Sequence, residues 1–346
     1  MKKQLLITKN QIKPTRPDFK VFGVFNPAII KVADEYIMFA RVAETVALEK
    51  DSHVVIPVYR NNDYTFLKFA TNDPNYDFSD VRVIRNHRQN YLTSISHFRI
   101  GRSKDGYNFT FDDTPILPDS IYEEFGIEDP RITKIDDKYY ISYTAVSEYG
   151  INVRLMVTAD FKKFTRLGNI FHFDNKDVVL FPKKIGGYYY AYHRPSTSEF
   201  GRLDMWVAKS TNLLHWGEHE VLTGARIDYT ASVRLGAGAV PYLTKEGWIV
   251  IYHTADSFNR YHLAALLVDK DDPSKVLKRS KKPLIFPTEL FEKEGLMPEV
   301  VFTCGAIFEK NEIKVYYGVC DEAIAVATLT YDEIYENLGE VLWNED

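Results

Sequence analysis

One phrase is used five times along this 346-residue chain, and a repeat of that kind constrains the fold more than any other feature. Each copy runs from a small or proline-containing turn into a β run, then two or three turn residues, then a Tyr/Ile/Val-rich run ending in a polar residue. The copies span residues 26–41, 128–143, 176–194, 236–253 and 304–318. Each centres on a hairpin turn: Ala33-Asp34-Glu35, Asp136-Asp137, Gly186-Gly187, Lys245-Glu246-Gly247 and Lys310-Asn311. Gly, Asn and Asp are the residues that tight β connections select. Further strand-like runs follow most copies, at 97–109, 153–164, 203–216 and 261–269. Short strands grouped in fours and repeated in this way predict an all-β chain folded as a five-bladed β-propeller. Tandem sandwiches also use regular short strands, but they give no reason for one phrase to recur throughout. On this reading residues 1–346 are a single domain.

Two stretches depart from the pattern. Residues 44–90 are a long, largely polar insertion in the first repeat, expected to form loops over the active-site face. Residues 331–338 place apolar side chains at helical spacing and predict a short C-terminal helix.

The composition narrows the function classes. Tyr (23) and Phe (22) bring the aromatic fraction to 14%, which suits strands and also supplies the amphipathic surfaces that sugars use. Net charge is −5 with the signs interspersed, so no basic face for a nucleic acid is evident. The two cysteines, Cys304 and Cys320, could meet if their strands are neighbours, although a chain of this size needs no staple. The first ten residues have too short an apolar run for a secretion signal, and no run approaches a membrane span. The expectation is a soluble cytoplasmic protein. A homo-oligomer such as a dimer is compatible with this sequence.

In a propeller the first strand of each blade lines the axis, so the opening residues of the copies should converge. They are Asn26, Asp129 with Arg131, Lys176 with Asp177, and Arg234. The ends of second strands add Arg41, His193 with Arg194, His253 and Asp321. In Glu128-Asp129-Pro130-Arg131 the proline has no amide to donate and pushes Asp129 out of helical conformation, which places both carboxylates at a strand entrance beside a cation. Solvated surface charge explains any one of these positions. Matched positions in several blades are what argue for a site. Cations gathered around an acid suit an anionic co-substrate, most commonly phosphate. The nine histidines show no metal-ligand spacing, and no nucleophile-elbow, Walker or dinucleotide motif occurs. No cofactor or metal is expected.

Glu128-Asp129-Pro130-Arg131, the run Lys176–Pro182, His193-Arg194-Pro195, Leu235–Gly238, Tyr252-His253 and the run Tyr317–Asp321 occur in an order that resembles glycoside hydrolase family 130. The resemblance covers roughly residues 20–330. That family contains mannoside phosphorylases and hydrolytic relatives, built as five-bladed propellers. The resemblance implies that Asp129 is the general acid, acting through the mannose 3-hydroxyl while inorganic phosphate attacks C1 with inversion. It implies that Lys176, Arg194, Arg234 and His253 bind phosphate. It also implies that Asn26, Arg41, Glu128, Arg131, Asp177 and Asp321 hold the mannosyl end. Lys176 and Arg234 exchange Lys and Arg relative to many members, which keeps the charge and moves the fork. The products would be α-mannose 1-phosphate and a chain one sugar shorter.

Hydrolysis by an inverting β-mannosidase would need a second carboxylate to deprotonate water. Phosphate is already an anion and needs only cations that hold it in line. The available bases, Asp177 and Asp228, both have charged neighbours, which favours phosphorolysis. Long polar insertions over the cavity fit β-1,2-linked mannobiose or oligomannan better than β-1,4-linked substrates, with His53, Tyr59 and Tyr64 as candidate acceptor contacts. The alternative from another class, a non-catalytic sugar-binding propeller, would carry separate aromatic pockets on several blades.

Overall fold

The structure, a computed structural model, describes residues 1–47, 52–196, 200–223 and 232–341. It is almost entirely β. The strands fall into antiparallel groups that follow the chain. The first contains Phe19–Val32, Glu35–Val46, Ile95–Ser103 and Thr110–Phe111. The second contains Gly126–Ile135, Lys138–Ser147, Gly150–Thr158 and Thr165–Phe171. A single parallel pairing, Gly126 with Ser96, joins these two into one sheet. The third contains Asn175–Leu180, Tyr189–Pro195, Trp206–Ser210 and Gly217–Val221. The fourth contains Arg234–Ala237, Trp248–Ala255, Tyr261–Val268 and Val276–Ser280, with Leu338–Glu340 on its edge. The fifth contains Val301–Phe308, Ile313–Val319 and Ala323–Leu329, and its fourth strand is Lys2–Thr8 from the start of the chain. Every hairpin turn anticipated at the centre of a repeat lies between paired strands.

The period-2 alternation of each strand sends side chains to two different cores. In Glu35–Val46, Ile37 and Phe39 pack with Ile127, Ile141 and Tyr143 of the second group. Their neighbours Tyr36, Met38 and Ala40 pack with Tyr316, Ile324 and Val326 of the fifth. In the fourth group Trp248, Val250 and Tyr252 join Phe181 and Tyr192 of the third, while Ile249 and Ile251 join Val315 and Tyr317 of the fifth. A further core joins Leu155 of the second to Leu180 and Ala191 of the third. The cores thus run first to second, second to third, third to fourth, fourth to fifth and fifth back to first. This explains why the central strands read as nearly continuous apolar runs: both faces are covered.

The segment expected to form loops is largely strand. His53–Arg60 and Asp63–Ala70 form a hairpin, and Asp77–Asp80, Val83–Arg85 and Asn90–Leu92 form a small meander. Asn61 and Asn62 at the hairpin tip both have positive φ, as a two-residue turn matching the strand twist requires. The insertion has its own core, in which Ile56, Val58, Phe69 and Ile84 pack on Phe125. The predicted C-terminal helix is Tyr331–Asn337. Thr330 caps it by accepting from the Glu333 amide, and the Glu333 carboxylate accepts from the Thr330 amide. No described helix is long and apolar enough to cross a membrane. Both cysteines are free and buried.

Candidate active site

A break in strand register at the same place in several groups builds the site. Pairing slips between Phe25 and Ala28, between Glu128 and Arg131, between Lys176 and Val179, and between Thr303 and Gly305. Such bulges bend a strand and re-aim the unpaired residue. Asn26, Asp129 and Asp177 sit in these bulges with φ of 47°, 48° and 58°, left-handed values that non-glycine residues seldom adopt. Asp321, after the second strand of the fifth group, has φ of 55°. The inner strands therefore stop pairing where their polar side chains turn towards a common cavity.

That cavity has a volume of about 270 Å³. Asn26, Arg41, Glu128, Asp129, Lys176, Asp177, Arg194 and Asp321 line it, which brings together most of the residues anticipated from sequence. Its apolar wall is Phe25, Met297, Val300 and Phe302, and the insertion contributes Arg82, Val83 and Leu92.

Two charged clusters lie in it. In the first, Oδ1 of Asp129 accepts from Asn26 Nδ2 at 2.8 Å and Arg41 Nη1 at 3.0 Å. Arg41 Nη2 donates to Glu128 Oε1 at 2.6 Å, and its guanidinium lies over the Phe25 ring. Oδ2 of Asp129 has no partner among the described residues. Burial alone would raise the Asp129 carboxyl, but Arg41, Arg131 and the Asn26 amide outweigh it, and the net shift is downward. Asp321 goes the other way. Burial pushes its carboxyl up to about 6 against the pull of Arg41 and of Arg82, whose Nη1 is 3.9 Å away.

The second cluster centres on Asp177, which is almost fully buried. Arg131 Nη2 lies 3.2 Å from Oδ1, Arg194 Nη2 lies 3.0 Å from Oδ2, and His253 Nε2 lies 3.2 Å from Oδ2. Burial would raise this carboxyl, but Arg194, His253 and Arg131 hold it well below the usual range. Gly236 makes room for the pair behind it: a Cβ there would stand 2.3 Å from Asp177 Oδ2 and 2.4 Å from His253 Nε2. Arg194 lines the cavity, yet its Nε and Nη1 have no hydrogen-bond partner among the described residues. The Lys176 ammonium, also on the cavity wall, has none among them either.

Three anticipated residues occupy other places. His253 is fully buried behind Asp177, where burial depresses its imidazole against the pull of that carboxylate, and it does not line the cavity. Arg234 donates to Tyr261 Oη at 3.0 Å and Asn259 Oδ1 at 2.8 Å, and it is Tyr261 that lines the cavity. Arg131 is 1% exposed and acts as a strut, donating to the carbonyls of Asp129 and Ala237 as well as to Asp177. His53, Tyr59 and Tyr64 do not line the cavity; Tyr64 packs edge-on against Phe19 and Tyr59. Asp228 lies outside the described residues. Among those residues no group of three or more His, Cys, Asp or Glu is placed to hold a metal ion. Arg82 was not anticipated: it comes from a polar stretch in which nothing marks it apart from Arg85 or Arg88.

The model of glycoside hydrolase family 130, described as β-1,4-mannooligosaccharide phosphorylase, matches residues 77–340. A β-1,2-mannobiose phosphorylase of Listeria innocua is 44% identical over 340 residues, covering 96% of each chain. A 1,2-β-oligomannan phosphorylase of Thermoanaerobacter sp. is 39% identical over 248 residues, covering 70% of this chain and 82% of that one. The solved structure of the Listeria innocua β-1,2-mannobiose phosphorylase in complex with β-1,2-mannobiose superposes with a TM-score of 0.92 at 43% identity, over 96% of both chains.

Proposed function

The chain belongs to glycoside hydrolase family 130, and from that premise we propose that it is a β-mannoside phosphorylase that cleaves β-1,2-linked mannobiose or oligomannan with inorganic phosphate. The five groups of strands are read as five blades around one axis, a reading supported by the unbroken cycle of cores between successive groups. The insertion sits at the mouth of the cavity, to which it contributes Arg82, Val83 and Leu92.

The observation that carries phosphorolysis is that two cations, Arg194 and Lys176, line the cavity that also holds Asp129, and that Nε and Nη1 of Arg194 are buried there without an acceptor among the described residues. Buried donors without acceptors are unfavourable, by about 1–3 kcal/mol each and more when charged. A bound phosphate supplies the acceptors. A hydrolase would instead need a free carboxylate to activate water, and both oxygens of Asp177 are engaged by cations or imidazole.

In the proposed reaction Asp129 delivers a proton towards the glycosidic oxygen, by way of the mannose 3-hydroxyl, and phosphate attacks C1 from the opposite face. The product is α-mannose 1-phosphate. Burial already opposes the depression of the Asp129 carboxyl by Arg41, Arg131 and Asn26. A mannosyl ring that displaces water, and an anion beside Lys176 and Arg194, both favour its protonated form. Asn26 and Arg41 aim the carboxyl through Oδ1 and leave Oδ2 for the proton. Asp177 holds Arg194 in place rather than touching phosphate, and His253 supports Asp177.

The test is to incubate the protein with β-1,2-mannobiose in the presence and absence of phosphate. Mannose 1-phosphate should form only when phosphate is present. Free mannose released at the same rate in both incubations would make this a hydrolase. Arg194→Ala should raise the KM for phosphate by roughly 10- to 100-fold, the worth of one or two charge-assisted hydrogen bonds, with a smaller effect on the KM for mannobiose. An unchanged phosphate KM would remove Arg194 from the anion site.

A further inference from the structure

Among the described residues, Arg82 is the only charged side chain that the insertion places on the wall of the catalytic cavity. It sits in a two-residue turn between Asp80 and Val83, which pair with each other. Asp80 fixes it there: Oδ1 accepts from the Arg82 amide at 3.0 Å and from Nε at 3.2 Å, and Oδ2 accepts from Nη2 at 3.2 Å. This fork removes the rotamer freedom of a long side chain before a ligand arrives. The turn is itself tied down. The Thr93 amide donates to the Arg82 carbonyl at 2.9 Å, and the Thr93 carbonyl accepts from the Thr45 hydroxyl of the first group at 3.0 Å. The remaining nitrogen, Nη1, lies 3.9 Å from Asp321 Oδ2. That is too long for a hydrogen bond, so Arg82 pulls on the carboxylate by charge and leaves its lone pairs to a ligand.

Asp321 depends on such a charge. The groups that face it from other elements are Arg41 of the first group, Glu128 and Asp129 of the second, and Arg82. On its own segment, Glu322 is paired with Lys9 at 3.3 Å, and burial pushes the Cys320 thiol up to about 11, which keeps it neutral. Arg41 already serves Asp129 at 3.0 Å and Glu128 at 2.6 Å, so its charge is shared among three carboxylates. Arg82 is the cation left to Asp321. Burial, with Asp129 and Glu128, pushes the Asp321 carboxyl up to about 6 against the pull of both arginines. It therefore turns neutral as the pH falls through about 6. An ionised carboxylate accepts hydrogen bonds from sugar hydroxyls more strongly than a neutral one. Asp80, held well below the usual range chiefly by Arg82, stays charged throughout.

Resting on the reading above, in which Asp321 holds the mannosyl end, we propose that Arg82 is a positioning residue that acts through Asp321: the insertion supplies the charge that keeps this carboxylate fit to hold the ring. The test is the pH dependence of kcat/KM for β-1,2-mannobiose at saturating phosphate, whose own ionisation is common to all variants and cancels. Removing a cation raises the carboxyl further. In Arg82→Ala the acid limb should therefore move up by about one pH unit, the scale of one charge at this distance. The variant should fall behind the wild type by roughly fivefold at about pH 6 and hardly at all at about pH 8. Arg82→Lys keeps the charge without the fork and should restore most of the limb. Arg85→Ala removes the other arginine bound to Asp80, at 2.9 Å, and should leave the limb in place. On an Asp321→Asn background, Arg82→Ala should change nothing further. An unmoved limb in Arg82→Ala, a loss equal at every pH, or the same loss on the Asp321→Asn background would overturn the proposal. Phosphate dependence tests the reading beneath it separately. If free mannose forms in place of mannose 1-phosphate, the shift is read in the hydrolytic rate. If nothing turns over, it is read in calorimetric binding of mannobiose between about pH 5 and about pH 8.

Discussion

Asp129→Asn should lower kcat by roughly 10²- to 10⁴-fold, the usual contribution of a general acid, without unfolding the protein. The amide keeps an oxygen where Oδ1 accepts from Asn26 and Arg41, and Arg41 retains Glu128 as its counter-charge. What is lost is the proton. The loss should therefore depend on the leaving group. An activated mannoside such as a nitrophenyl β-mannoside departs without protonation and should retain most of its rate, whereas mannobiose should not. A fall in kcat of less than about tenfold on mannobiose, or an equal fall on both substrates, would move the acid to another residue. The thermal midpoint is the control, since a purely structural defect would lower it and would slow both substrates together.

The second large effect is expected at Asp177. One nearly inaccessible carboxylate there faces Arg131, Arg194 and the His253 ring. Asp177→Asn leaves two buried guanidinium groups without their counter-charge, and breaking a buried pair from one side costs about 3–5 kcal/mol. In chemical denaturation the variant should lose stability on that scale, and its thermal midpoint should fall by on the order of 10 °C. Because Arg194 loses its anchor, the phosphate KM should rise as well. Added phosphate should restore part of the lost stability, because an anion bound beside Arg194 replaces the missing charge. A stability change below about 1 kcal/mol would show that the cluster is solvated and the ion pairs are weak.

The sequence made the hairpins legible because their turn chemistry is local. Asp136-Asp137 and Gly186-Gly187 announce a tight connection whatever surrounds them. The convergence of Asn26, Asp129 and Asp177 was legible only through the repeat, since nothing near any one of them identifies a bulge. Burial was not legible at all. His253 and Arg194 look alike as candidate cations in a string of letters, and only the packing puts His253 behind Asp177 and Arg194 on the cavity wall. The places of Arg234 and Arg131 were not legible for the same reason: an arginine side chain is long enough to serve the cavity or the wall behind it. The insertion was expected to form loops because its polar residues outweighed the alternation in His53–Arg60 and Asp63–Ala70. Its strands bury one face on Phe125, a partner more than fifty residues further along the chain.

The pairing of Lys2–Thr8 with Ala323–Leu329 has a consequence for biosynthesis. Lys2–Thr8 adds to a sheet whose receiving edge, Ala323–Leu329, is translated more than 300 residues later. Until then Lys2–Thr8 has no neighbour in its sheet, and the loop that must close spans more than 300 residues. Closure entropy grows only slowly with such a length, but the contact order is high and the search is correspondingly slow. A nascent chain stalled short of residue 323 would carry the other groups of strands with Lys2–Thr8 still unattached.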